Sequence, residues 1–405
     1  MFHGHSGGRS GIMRACHIVY GYFPFDPRVR REAEALQREG HEIDVIALRE
    51  EGEPLEENVH GFRVHRIPLS IVRGGFARYA YQYIVFLLAS AALLLRLHAT
   101  RRYRVAHIHS LPDFQVFCAA PLRLLGARVV LDLHEAMPEI FAARFRLDLD
   151  SFAVRVARAL ELISCAFASA VVTQNEAMRD LVAERSVDRS KIVVVMNSPD
   201  PTKLVVFEPD RLRRELGMTG KRPVVYVGGI NAERDLGLLM EAVGRLREKY
   251  PIRLAIFGYG DEGYRRRLQE IADRLGLQQN FLLGPQLPQE LVFEYLSLSE
   301  LGVITYEENP LTKLTIPNKV FEYAAARKPL VIADLTTLRR VFNGAALFYR
   351  PGDAEDLAKQ MQRLLDDADL RHDLVARAEL VLDSCNWGIM TGRLHDLYDR
   401  LSRER

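Results

Sequence analysis

Cysteine is scarce in this chain and is never patterned. Cys16, Cys118, Cys165 and Cys385 are the only 4 among 405 residues, far apart and without a CxxC pair. That excludes a disulfide framework and a cysteine-rich zinc module, and it fits buried thiols in a reducing compartment. Excess charge is missing too: 55 basic residues against 53 acidic ones leave +2. Nothing in that balance asks for a nucleic-acid partner. No GxGxxG follows the first strand-like run, which passes from Cys16–Tyr20 into Gly21-Tyr22-Phe23-Pro24-Phe25-Asp26-Pro27. This argues against a dinucleotide dehydrogenase. GxxxxGK[ST] is absent, and ordinary P-loop chemistry with it. The stretch Met1–Gly11, rich in Gly, His and Ser, lacks the apolar core of a signal peptide. It reads as a disordered tail, or as sequence upstream of a start at Met13.

Long hydrophobic runs are also lacking. The most apolar one, Tyr83–Leu95, is interrupted only by Ser90 and is shorter than the ~20 residues of a membrane span. Tyr79 and Tyr81 precede it; Arg96, Arg101, Arg102 and Arg104 follow. Two readings stay open. A helix buried against a sheet would be apolar all round. An interfacial helix would set its arginines on lipid phosphates, giving peripheral membrane contact.

What the chain does have is alternation of strand and helix. Strand-like runs are Cys16–Tyr20, Glu42–Leu48, Arg63–Ile67, Val105–His109, Val129–Leu133, Ala170–Thr173 and Ile192–Met196, with helical stretches between most of them. This predicts an α/β fold with a parallel sheet covered on both faces. Asn197-Ser198-Pro199-Asp200-Pro201 reads as a linker. A second alternation follows, with strands at Val224–Val227, Leu254–Phe257, Phe281–Leu283, Leu301–Ile304 and Leu330–Ala333. Ala354–Leu365 and Leu370–Leu382 read as closing helices; the last segment puts Leu394, Leu397, Tyr398 and Leu401 on one helical face. The expected organisation is a tail over 1–12, domains over 13–200 and 201–385, and a helix over 386–405 returning to the first domain. A cleft between two such lobes is the default ligand site.

Candidate chemistry gathers at strand ends and at one helix start. Val227 runs into Gly228-Gly229, Phe257 into Gly258-Tyr259-Gly260, and Leu283 into Gly284-Pro285. Each glycine alone is a tight turn; together they suggest backbone approaching a ligand closely. Arg234 is either a phosphate partner or a solvated surface group. Pro317-Asn318-Lys319 opens a helix whose free N–H groups, dipole and lysine favour an anion, and Glu322 shares its face. That pair is either a surface salt bridge or a grip on a phosphate and a sugar diol. His107 and His109 share one strand face, which allows a zinc pair, but no third ligand is evident nearby. Asp148-Leu149-Asp150 mimics a metal-binding DxD, yet it precedes a helical run, so Asp150 reads as an N-cap.

Several of these residues together carry a resemblance. In the second half they are Gly228-Gly229 with Arg234, Gly258-Tyr259-Gly260, and Pro317-Asn318-Lys319 through Pro329-Leu330-Val331. In the first half they are Asp26-Pro27-Arg28-Val29-Arg30-Arg31-Glu32-Ala33, Gly40-His41, His109 and Asp132-Leu133-His134-Glu135; Asn197 and Trp387 also fit. From about Met13 to its end the chain resembles a family-4 glycosyltransferase of the GT-B fold. The resemblance implies two Rossmann-like, doubly wound lobes facing across a cleft, with a C-terminal helix packing back on the first. The second lobe would bind a nucleotide-sugar, UDP-sugar favoured. Glu322 would accept hydrogen bonds from the ribose, and Lys319 with Arg234 would neutralise the departing diphosphate. Gly228, Gly229, Gly258 and Gly260 would lie near the phosphates, with Pro317 and Asn318 at the helix start and Leu283 beside the base. His134 would hydrogen-bond the donor sugar. Arg28, Arg30 and His109 would lie on the acceptor side, a structural helix-start role being the alternative for Arg28 or Arg30. Transfer would retain anomeric configuration without metal or other cofactor, to a glycan or lipid-linked acceptor. The setting would be cell-envelope polysaccharide synthesis in the cytoplasm, at the inner face of the membrane.

Two positions depart from the family pattern. Leu314 stands eight positions before Glu322, where many relatives have a second glutamate; Glu308, Asn309 or Thr315 would take over its sugar contacts. Gly229 stands where relatives often carry an arginine, with Lys313 as a substitute cation. A nucleotide-sugar epimerase on the same architecture is the rival reading, but it needs a carboxylate cluster that the sequence does not offer. A non-catalytic scaffold is the other; Lys319, Glu322 and His134 speak against it.

Overall fold

A computed structural model describes residues 12–71, 76–199 and 210–403. The tail reading of Met1–Gly11 and the Asp200-Pro201 end of the linker lie outside the described residues. The chain divides into two compact units: Met1–Asn197 with Gly388–Arg405, and Ser198–Trp387.

The first unit runs β1 (Arg14–Tyr22), α1 (Pro27–Arg38), β2 (Glu42–Leu48), β3 (Glu56–Val59), β4 (Phe62–Ile67), α2 (Phe76–Arg101), β5 (Val105–His109), α3 (Ala120–Leu124) and β6 (Arg128–Leu133). It continues with α4 (Met137–Phe145), α5 (Phe152–Phe167), β7 (Ala170–Thr173), α6 (Glu176–Arg185) and β8 (Ile192–Val194). Its eight strands pair in the order β3-β4-β2-β1-β5-β6-β7-β8. Only β3 runs antiparallel, against β4. The central strands are buried on both faces, as their near-continuous Val/Ile/Ala content requires. The order reverses direction between β1 and β5, which makes the carboxyl ends of these strands the topological switch point. α1 starts where Asp26 accepts from Arg28 N at 3.0 Å and Val29 N at 3.2 Å, with Pro27 in the first turn.

Two local readings are corrected. Ser151, not Asp150, caps α5: its hydroxyl accepts from Val154 N. Asp150 stays exposed, 3.9 Å from Arg158. α2 is not buried all round. Gln82, Phe86, Ser90 and Leu94, four residues apart, form its inner face. Tyr81, Ile84, Leu88 and Leu95 lie exposed on the other. Only 17% of its apolar stretch is buried, and α2 is long and apolar enough to cross a membrane by length and composition.

The second unit runs α7 (Asp210–Glu215), β9 (Arg222–Val227), α8 (Leu236–Leu246), β10 (Ile252–Phe257), α9 (Glu262–Arg274), β11 (Phe281–Gly284), α10 (Gln289–Ser297) and β12 (Gly302–Ile304). It continues with α11 (Asn318–Ala325), β13 (Leu330–Ala333), α12 (Thr336–Phe342), β14 (Leu347–Tyr349), α13 (Ala354–Asp366) and α14 (Ala368–Cys385). Two parallel three-stranded sheets, β11-β10-β9 and β12-β13-β14, result. They abut through Glu300 N donating to Pro223 O at 2.7 Å and Val225 N donating to Ser299 Oγ at 2.9 Å. The last helix, α15 (Trp387–Arg403), falls almost wholly in the first unit. There Met390, Leu394, Leu397, Tyr398 and Leu401 are buried, and Arg393 Nη1 donates to Val194 O at 3.2 Å.

Candidate functional site

At the switch point of the first unit, β6 ends in Asp132, Leu133 and then His134. Asp132 is fully buried and meets three donors. Arg28 grips it with Nε at 2.9 Å and Nη2 at 2.6 Å. His109 Nδ1 and His134 Nε2 each lie 3.0 Å from its Oδ2. Burial alone would raise this carboxyl, but Arg28, His134 and His109 overcome it and hold it well below the usual carboxylate range. A carboxylate can only accept, so both histidines present N–H to it. His134 is therefore fixed with Nε2 inward and Nδ1 as its outward atom. Gln174 Nε2 donates to the His134 carbonyl, and His134 N donates to Ser110 Oγ at 3.2 Å, so the turn itself is pinned.

Behind His109 lies a chain of buried histidines. His17 Nδ1 is 2.9 Å from His109 Nε2. The Tyr398 hydroxyl sits 3.3 Å from His17 Nε2 and 3.0 Å from His107 Nδ1. His107 Nε2 faces Glu32 Oε2 at 3.8 Å. Burial, reinforced by the neighbouring rings, pushes His17 and His107 well below their ordinary pKa. They are neutral, so one direction of donation satisfies the chain: Tyr398 O–H to His17, His17 N–H to His109, His109 N–H to Asp132. Glu32, raised to about 8 by burial and by Asp132, is mostly protonated at neutral pH.

His17 is the third histidine that sequence spacing did not find. It sits 92 residues from His109 and is brought there by the β1–β5 register, which sets His17 opposite His107. The three rings come close enough to share a metal ion, as do Glu32, His107, His109 and Asp132. In this structure their nitrogens are largely engaged with one another and with Tyr398 and Asp132. The Arg28 guanidinium, 3.2 Å from Glu32, adds a positive charge that opposes a second cation.

Two acceptor-side candidates change role. Arg28 is 4% exposed; besides Asp132 and Glu32 it holds the Val195 carbonyl at 3.0 Å. Its guanidinium is spent inside the unit, which selects its structural reading. His109 is 1% exposed and buried in the histidine chain. Arg30 keeps a part-exposed side chain, 3.6 Å from Glu34.

In the second unit Lys319 is the second residue of α11, and Pro317 is its N-cap rather than part of the first turn. α11 is clamped to the sheet by Tyr323, whose hydroxyl donates to the Val225 carbonyl. The Lys319 chain then crosses the end of β9: Nζ lies 5.0 Å from the centre of the Tyr226 ring. Gly228, at φ +147, lies directly beneath, and a Cβ there would strike Lys319 Nζ. Arg234 packs its guanidinium on Tyr306 at 4.6 Å. Burial and then the Arg234 charge bring Lys319 down to about 8, against the opposite pull of Glu322. Lys319 thus feels both the Arg234 charge and the Glu322 carboxylate in a part-desolvated place.

The other glycines have a different cause from the one their pattern suggested. A Cβ on Gly258, φ +155, would strike the Gly228 carbonyl; one on Gly260 would strike Ile230; one on Gly284 would strike the Phe257 ring. Their missing side chains make room for neighbouring loops, tied by Gly228 N to Phe257 O at 2.8 Å and Ile230 N to Tyr259 O at 2.7 Å. Gly229 carries no such clash and keeps only side chains at 3.8 Å. Leu283, on β11, is half-buried, and Asn318 is exposed. Asn309 Oδ1 accepts from Thr312 N at 2.9 Å, and Thr315 Oγ1 donates to Leu311 O at 3.0 Å, so both shape the loop before α11. Lys313 is paired with Glu308 at 2.8 Å, on the surface.

Comparison with known proteins agrees with this layout. Residues 26–198 match the family model for the glycosyl transferase 4-like domain, and residues 221–367 the one for glycosyl transferases group 1. An uncharacterized glycosyltransferase of Methanocaldococcus jannaschii is 23% identical over 369 residues, 88% of each chain. Sucrose-phosphate synthase from Thermosynechococcus elongatus superposes with a TM-score of 0.78 at 16% identity, over 96% of this chain and 99% of that one. Anabaena HepE in complex with UDP gives a TM-score of 0.73 at 12% identity, over 96% and 100%. With both halves matched and the architecture shared along nearly its whole length, the chain belongs to the group 1, family-4 glycosyltransferases and has their GT-B fold.

Proposed function

We propose that the second unit, Ser198–Trp387, binds a nucleotide diphosphate-sugar, with UDP as its nucleotide, and that the first, Met1–Asn197 completed by Gly388–Arg405, binds the acceptor. The observation that carries this reading is the Lys319–Arg234 pair. Lys319, laid across Gly228 at the end of β9, is brought down by burial and then by the Arg234 charge, and a bound diphosphate relieves that cost. Gly228 brings backbone beside the lysine, and Glu322, one turn along α11, is suited to a ribose diol. A UDP complex of a protein with the same fold supports the choice of nucleotide.

Transfer proceeds with retention of configuration by front-face displacement, the leaving phosphate taking the acceptor's proton. Such a step needs positioning and charge stabilisation rather than a protein nucleophile or a metal. His134 offers its outward Nδ1 to a sugar hydroxyl. Asn309 and Thr315 lie on the loop where Leu314 replaces the usual glutamate, and Arg30 remains for the acceptor side. The acceptor is a glycan or a lipid-linked glycan of cell-envelope synthesis, met on the cytoplasmic side of the membrane. The exposed apolar face of α2 supports contact with a bilayer there.

A thermal-shift panel of UDP-, GDP-, ADP- and dTDP-sugars in chelator tests this. The largest shift is expected from a UDP-sugar. Glu322→Ala should weaken that binding by about tenfold or more, the worth of a charged hydrogen bond. No shift with any nucleotide would return the chain to the scaffold reading.

A further inference from the structure

The edge of the first sheet opposite His134 carries arginines that the reaction does not use. Arg104 N donates to Arg14 O, and Arg128 N to Arg104 O, each at 2.8 Å, so these residues stand side by side where β1, β5 and β6 begin. Arg102, Arg104 and Arg128, with His98, Tyr103 and Leu401, line a cavity of about 450 Å³. The nearby acids are engaged elsewhere. Asp44 accepts from Arg101 at 2.8 Å and from the Tyr103 hydroxyl at 2.6 Å. Glu42 pairs with Arg14 and Arg101, each at 3.1 Å. Among the described residues Arg102, Arg104 and Arg128 form no ion pair. His98 Nδ1 is shielded from water and has no hydrogen-bond partner. Arg104 Nη2 also reaches the Ser402 carbonyl at 3.4 Å, and the forked donors of the three guanidinium groups match phosphate oxygens.

A second observation says what carries the phosphate. Among the exposed residues of α2, Tyr81, Ile84, Leu88, Ala92, Leu95 and Ala99 recur every three or four positions and form one apolar stripe, with Arg96 and Thr100 exposed beside its end. The stripe ends at the cavity, since Ala99 is one of its walls. Leu125 is another, 62% exposed, beside Leu124 at 89%. Apolar surface running into an uncompensated arginine cavity complements an acyl chain joined to an anionic headgroup.

We propose that this cavity binds the headgroup phosphate of an anionic lipid while the α2 stripe lies in the adjoining acyl region. The site is distinct from the reacting end: β6 separates Arg128 from His134 by about 20 Å at ~3.3 Å per residue. It would anchor the first unit on the bilayer. The proposal rests on the membrane contact of α2 argued above, and the test separates the two.

Co-sedimentation with phosphatidylcholine vesicles, with and without about 30% phosphatidylglycerol, reads both. The full chain should bind the anionic vesicles about tenfold or more tightly than the neutral ones. The double substitution Arg104→Gln with Arg128→Gln should abolish that preference and keep neutral binding, with thermal unfolding as the folding control. Leu88→Asp should reduce binding to both. Equal wild-type binding to both vesicle types overturns the phosphate site and leaves the α2 contact standing; binding to neither overturns both. Glycerol phosphate is titrated in parallel by thermal shift. Protection by it without vesicle binding overturns the lipid assignment in favour of a soluble phosphoester.

Discussion

Lys319→Ala is expected to lower kcat/KM for donor turnover by about 10²- to 10³-fold while the melting temperature holds or rises. The rate loss follows from removing one preorganised cation from the departing diphosphate, a group worth about 2.7–4 kcal/mol in comparable oxyanion sites. The stability result follows from the lysine's surroundings. Its pKa is down at about 8, so the native protein holds this charge at a cost, set by burial and by Arg234. Removing it relieves that strain. If Lys319 and Glu322 formed only a surface salt bridge, the substitution would cost about 0–1 kcal/mol of stability and no rate. Steady-state release of the nucleoside diphosphate, with thermal unfolding alongside, separates the outcomes; unchanged turnover would remove Lys319 from the site.

Asp132→Ala is expected to destabilise the protein by about 3–5 kcal/mol, because it leaves Arg28 buried without its carboxylate. His109 and His134 lose their common acceptor in the same step, so turnover should fall in whatever protein remains folded. Tyr398→Phe is the milder comparator: it removes one hydroxyl from the histidine chain and should cost about 1–3 kcal/mol. Urea unfolding measures both, and a loss below about 1 kcal/mol for Asp132→Ala would contradict the buried ion pair. The sign with pH is fixed. Asp132 is held below its unfolded value. Its contribution is complete above that unfolded value, about 3.9, and is lost as pH falls through the lower native one.

The order of strands and helices was legible because each signal is local. Apolar runs of three to seven residues gave nearly every strand of the three sheets. The two missed strands lacked that signal: β3, Glu56–Val59, is a charged edge, and β14 spans only Leu347–Tyr349. Lys319 and Glu322 were legible for the same reason, since helix spacing alone puts them on one face. What escaped notice depends on contacts far apart in sequence. His17 joins His107 only through strand register, and Tyr398 reaches them from 291 residues beyond His107. Arg28 looked like a free helix-start arginine because nothing local announces that Asp132 lies behind it. The glycines at strand ends have a packing reason that no local signal shows, since a glycine that admits a neighbouring carbonyl looks the same in sequence as one that admits a ligand. α2 was ambiguous because all-round apolarity does not say which face is covered.

The central claim is that Lys319 exists to meet a nucleoside diphosphate. Calorimetric titration of UDP at about pH 9, in two buffers of different ionisation enthalpy, tests it most directly. With Lys319 down at about 8 in the free protein, most of it is neutral there, and binding a diphosphate returns it to the charged form. UDP binding should therefore take up close to one proton, and affinity should fall about tenfold per pH unit above that point. Lys319→Arg, charged at every accessible pH, should bind UDP without proton uptake. UDP binding with no proton uptake in the unmodified chain, or none at all, would contradict the account.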